Sequence, residues 1–93
     1  MRTVIFSGTA IAAQRYGVGQ PGSYWEFSEG SDSIRLLTAE AQELAKHIDQ
    51  SAEKVSDQLS MNLQCATMEG ESILLRLSGG AAKAISGAIH ASK

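Results

Sequence analysis

The string Gly17-Val18-Gly19-Gln20-Pro21-Gly22 has the spacing G-x-G-x-x-G. In a dinucleotide-binding fold that spacing lets the backbone approach a pyrophosphate held at a helix N-terminus. Here the next residues, Ser23-Tyr24-Trp25-Glu26-Phe27, are strand-like, and Pro21 removes one backbone donor. The string therefore reads as a hairpin loop. Ser78-Gly79-Gly80 follows an expected strand and opens an expected helix, so its free N–H groups could hold a phosphate or carboxylate, with Lys83 one turn on. It lacks the lysine-serine ending of a P-loop, and an ordinary strand-to-helix turn accounts for it. Ser78, Gly79, Gly80 and Lys83 are thus a weak anion-binding candidate.

Metal and nucleophile chemistry have little to build on. The histidines, His47 and His90, fall on different expected helices, and Cys65 is the single cysteine. No pair has ligand spacing, so no metal or cofactor is expected. His47 lies four residues after Glu43, an ordinary helix-surface pair, and His90 sits where a helix C-terminus favours a cation. Cys65 alternates with Leu63 and Thr67 on a strand and reads as a buried structural thiol. No catalytic residue is assigned, and the chain is expected not to be an enzyme.

The elements that must carry these residues follow from periodicity. Ala41, Leu44, Ala45, Ile48, Ala52, Val55 and Leu59 form one helical stripe, capped by Thr38, which predicts a helix over 39–60. Ala81, Ala82, Ile85, Ala88 and Ile89 predict a shorter one over Gly79–Ala91, capped by Ser78. Its glycines, Gly79, Gly80 and Gly87, each cost about 1 kcal/mol relative to Ala, so it should need tertiary packing. Strands are expected at 3–11 or somewhat further, 23–28, 33–37, 61–68 and 72–77. Acidic-glycine turns, Glu29-Gly30 and Glu69-Gly70, join the second to the third and the fourth to the fifth. Each half is then a hairpin followed by a helix that covers it.

Ninety-three residues make one domain, 1–93, with 43% hydrophobic and 19% charged residues, ordinary values for a folded chain. The expected class is α+β: an antiparallel sheet of four or five strands with one long and one short helix on one face, in the order β-β-β-α-β-β-α. The other sheet face is left for solvent or a contact, with Tyr24 and Trp25 the residues expected there. The apolar run over 3–13 is too short and too interrupted, at Ser7, Gly8 and Thr9, to cross a bilayer or serve as a signal core, so no membrane association is expected. A lone cysteine fits a reducing compartment, and a cytoplasmic location is expected.

Charge is uneven. The net charge is −2, yet residues 26–58 hold eight acids against Arg35, Lys46 and Lys54. Asp49 and Glu53 repel at i,i+4 on the long helix, and a basic partner would relieve them. An acidic balance argues against direct nucleic-acid binding. The leading expectation is a small non-catalytic protein acting by protein–protein contact, adaptor or inhibitor in type, by analogy with those that mobile elements encode. Its partner-binding residues are expected to be Arg15, Tyr16 and Trp25, of types enriched in interface hot spots. The alternative is a small-ligand or anion (nucleotide or phosphate) binder, and a homodimer is expected in either case from the uncovered sheet face and edges.

Overall fold

The computed structural model describes residues 2–8, 10–51 and 60–91. The element order is β1 (Arg2–Phe6), β2 (Ala12–Tyr16), β3 (Tyr24–Glu29), β4 (Asp32–Leu37), α1 (Thr38–Ser51), β5 (Ser60–Ala66), β6 (Ser72–Ser78) and α2 (Gly79–Ala91). The α+β class and the two covering helices agree with the sequence reading. The single antiparallel sheet does not. Among the described residues there are two three-stranded sheets, ordered β1-β6-β5 and β2-β3-β4, and β1 pairs with β6 in parallel, Arg2 opposite Ile73 through Phe6 opposite Leu77.

The expected strand over 3–11 is where the two accounts part. Val4 and Phe6 of β1 turn into the core while Thr3 and Ile5 stay exposed, the alternation of a half-buried strand. The chain then breaks: the backbone N–H groups of Ser7 and Gly8 both donate to the Glu29 carboxylate, at 3.1 and 2.9 Å. A Cβ at position 8 would meet Glu29 Oε2 at 3.1 Å, so a side chain there would move the carboxylate back by a few tenths of an ångström. After the break a new strand, β2, runs through residues 12–16 antiparallel to β3. Its Ala-Ala-Gln start has little strand propensity, and it forms because β3 supplies a template.

Both hairpins are present, with different turns. Glu29 pairs with Asp32 across a two-residue loop whose first position, Gly30, has φ +61°, the placement of a type II′ turn. The β5–β6 loop is longer, residues 67–71: Thr67 N–H donates to the Glu71 carbonyl at 2.8 Å, and Gly70 takes the left-handed position at φ +88°. The 17–22 string is the β2–β3 loop, as expected. Gln20 N–H donates to the Gly17 carbonyl and Ser23 N–H to the Gln20 carbonyl. Pro21 and Gly22, the latter at φ +82°, fill the central positions of the second of these turns, the arrangement of a type II turn.

In α1, Ala41, Leu44, Ala45 and Ile48 are buried, as the stripe predicts; the remainder of the expected helix, 52–59, lies outside the described residues. The limits of α2 coincide with those expected, and Ser78 Oγ accepts from Ala81 N–H at 3.0 Å as its cap. The two helices pack on each other and on the inner faces of both sheets. The largest fully buried side chains are Phe6, Phe27, Leu36, Ile73, Leu75, Leu77 and Ile85, drawn from both sheets and α2. The halves share one core.

Two glycine substitutions should move stability in opposite directions. Gly22→Ala forces a left-handed backbone on a side-chain-bearing residue and should cost about 1–2 kcal/mol. Gly87→Ala, in α2 with open space around the new methyl, should add about 0.5–1 kcal/mol. Urea denaturation of the two variants checks both signs.

Candidate interaction surface

Alternation along β3 decides what faces solvent. Trp25 and Phe27 point inward and stack, ring centroids 5.7 Å apart, with Trp25 only 4% exposed. Neighbours on a strand face opposite sides, so Trp25 and Tyr24 cannot share the outer face. The expected contact role of Trp25 is corrected on that ground: it is a core residue. Arg15 lies across from Trp25 in the register and is half-buried on the same side.

Tyr16 is on the outer side, as a contact residue must be. It stands opposite Tyr24, which stands opposite Leu37, so three strands contribute to one row. The two tyrosine rings stack at 5.0 Å with planes 20° apart. Tyr16 is 39% exposed, Leu37 43%, and Val18 in the adjoining loop 64%. The next row is polar: Gln14, Glu26 and Arg35 in register. Tyr16 Oη donates to Gln14 Oε1, and Arg35 Nε donates to Glu26 Oε2 at 2.9 Å. That bond, and the charge behind it, hold the Arg35 guanidinium pKa above its ordinary value. Residue type alone points to Tyr24 on this face; it does not point to Leu37, which only the register of β3 with β4 sets opposite Tyr24.

Four of the acids of 26–58 are engaged within the fold, and Glu53 and Asp57 lie outside the described residues. Glu26 holds Arg35, Glu29 holds two backbone N–H groups, Glu40 Oε1 accepts from Ala66 N–H at 3.4 Å, and Asp49 bridges two residues of α2. This weakens the case for a basic partner on the helix face.

Asp49 sits between a hydroxyl and an imidazole. Ser86 Oγ donates to its Oδ1 at 2.7 Å, and His90 Nε2 lies 2.6 Å from its Oδ2. A hydrolytic triad needs the imidazole in the middle, where it can take the hydroxyl proton. With the carboxylate in the middle, the three clasp α1 to α2. The open groove beside them, about 460 Å³, has Ala45 and Ile89 in its lining with Lys46 and Glu43 nearby. Among the described residues no three His, Cys, Asp or Glu side chains converge as metal ligands. No helix there is long and apolar enough to cross a membrane.

At the anion candidate, Ser78 Oγ takes the Ala81 N–H as the cap of α2, Gly79 is buried and Gly80 half-buried, and Lys83 is exposed one turn on. Cys65 is buried, as expected, and burial, aided by the Glu40 charge, pushes its thiol from 9.0 up to about 11.

Two predictions test these placements. Because the unfolded thiol ionises near 9 and the folded one holds its proton to about 11, stability should be level below pH 9 and fall as pH rises from 9 to 11. Cys65→Ala should abolish that slope while costing about 1 kcal/mol at neutral pH, and thiol reagents should modify the native protein slowly. Asp49→Ala leaves the Ser86 hydroxyl, part of a buried residue, without this acceptor and should cost about 1–2 kcal/mol. Thermal denaturation of that variant beside Ser86→Ala and the double variant reads the coupling.

Compared with known proteins, the chain matches no family model, no curated protein and no solved structure.

Proposed function

We propose that the chain is a small non-catalytic protein-binding domain, of adaptor or inhibitor type, and that its contact surface is the solvent face of the β2-β3-β4 sheet. The observation that carries this reading is the row Tyr16, Tyr24 and Leu37, with exposed Val18 in the loop that follows Tyr16. Stacked tyrosines on a strand scaffold lose little conformational freedom on binding and combine apolar area with a polar tip, the properties of an interface anchor. Clustered exposed apolar side chains are a feature of contact sites, although single ones are ordinary. The Gln14, Glu26 and Arg35 row beside them would form a polar rim. The partner's chemistry follows: a protein surface offering apolar side chains with donors and acceptors around them.

Tyr16→Ala and Leu37→Ser remove exposed side chains and should leave the fold intact, as circular dichroism would confirm. Each should weaken capture of a protein partner by about 1–3 kcal/mol, while Glu43→Lys on the exposed face of α1 should change it little. Quantitative co-purification across the three variants is the measurement. Loss with Glu43→Lys and none with the sheet variants would overturn the reading. So would a nucleotide or phosphate that raises the melting temperature, since a ligand specific for the native state must do so.

A further inference from the structure

We infer that the partner of this sheet is a second copy of the chain, joined through β2 in an antiparallel pair centred on Gln14. The inference rests on the reading above, that the β2-β3-β4 sheet carries the contact surface. Among the described residues β2 has one strand neighbour, β3, so its outer edge is a template for another strand. Edge strands are commonly guarded by proline, lysine, an inward-pointing charge or a bulge. Ala12-Ala13-Gln14-Arg15-Tyr16 holds neither proline nor lysine, and its pairing with β3 runs without a bulge; Arg15, half-buried on the inner side, is the one guard it carries.

The sequence of β2 is complementary to itself in one register. A two-fold axis at Gln14 sets Tyr16 opposite Ala12 of the second copy, Arg15 opposite Ala13, and Gln14 opposite Gln14. Each bulky side chain then meets a small one, and the two central amides can each donate and accept. Moving the centre by one residue breaks this match. Centring on Arg15 opposes two guanidiniums, and centring on Ala13 runs Arg15 and Tyr16 past the end of β2, opposite Ile11 and Ala10.

Charge agrees with the same register. The polar row would run Arg35, Glu26, Gln14, then Gln14, Glu26, Arg35 across a six-stranded sheet. The two Glu26 carboxylates would lie three strand spacings apart, about 14 Å, beyond the screening length of about 8 Å at physiological ionic strength. Each is also held by its own Arg35 at 2.9 Å. On either side of this row, one copy's Tyr16, Tyr24 and Leu37 would continue into the other's Ala12, Ser28 and Ser33. A five-residue strand pair buries less than a standard interface, so the association belongs in the micromolar-to-millimolar range.

The test uses the full chain and the central residue. Sedimentation from micromolar to millimolar concentration should show a reversible dimer. Gln14 is exposed, so Gln14→Glu and Gln14→Lys should fold normally, and each sets like charges against each other at the axis. Each variant alone should dimerise about two- to fivefold more weakly at low salt, and an equimolar mixture should recover the wild-type level as a mixed dimer. Hydrogen exchange of wild-type 12–16 amides should slow as concentration rises, a readout that needs no variant. A monomer throughout that range would overturn the inference, as would a dimer equally strong in all three forms. Either result leaves the protein-binding reading to stand or fall on the Tyr16 and Leu37 variants.

Discussion

The Glu29 carboxylate accepts two backbone N–H bonds, from Ser7 and Gly8, and the topology turns on that contact. Two successive amides aimed at one carboxylate end the strand that began at Arg2, and the chain re-enters as β2 in the other sheet. A continuous strand through the same residues could have served one sheet only. The division gives each hairpin a third strand: β2 beside β3, and β1 beside β6. It also ties the end of β1 to the end of β3, so the two halves are fixed to each other before any side-chain packing is counted. A hydrogen bond to a charged group contributes about 1.5–3 kcal/mol, enough to hold a break in a run whose residues favour extension.

Other contacts across the halves reinforce this one. Met68 N–H donates to the Arg35 carbonyl at 2.9 Å, Glu40 accepts from Ala66 N–H, and Asp49 joins Ser86 to His90. None of them is large beside burial of the apolar residues. Their effect is to fix the angle at which two hairpin-helix units share a core. That matters most for α2, whose three glycines leave it dependent on tertiary contacts. Its buried face, Ala81, Ala82, Ile85 and Ile89, is supplied with neighbours by α1, β5 and β6.

What could be read from the sequence was what depends on neighbours a few residues apart. The limits of α2, the Ser78 cap, the stripe of α1 through Ile48 and both acidic-glycine hairpins are local, and each is present. The parallel β1–β6 pair joins residues about seventy positions apart, and no periodicity encodes it. β2 was hidden because Ala12, Ala13 and Gln14 are weak strand formers, stabilised by pairing rather than propensity. The resemblance of Glu29-Gly30 to Glu69-Gly70 was real in residues and misleading in detail. Gly30 takes the first position of a two-residue loop, whereas Gly70 takes the left-handed place that closes a longer one. At the candidate surface, residue type picked out Tyr16 correctly as exposed and placed Trp25 wrongly, because aromatic enrichment at interfaces carries no information about which strand face a side chain takes.

The misplacement of Trp25 also shows why the outer face looks as it does. Trp25 and Phe27 inside oblige Tyr24 and Glu26 to be outside, whatever their chemistry, since the strand has only two faces. Glu26 is satisfied there by Arg35. Tyr24 is covered in part by Tyr16, which is itself left half in solvent, and Leu37 at the row's other end has no polar atom on its side chain to offer water. The exposed large apolar side chains of this face are therefore at one end of the sheet, beside the loop that carries Val18, while the opposite end carries Ser28 and Ser33. An apolar row at one end, a paired charge row at the centre and hydroxyls at the other make the face directional. A partner strand running antiparallel along β2 reverses that order, bringing hydroxyls and methyls beside tyrosine, which is a more compatible neighbour for an aromatic edge than a second charge row would be.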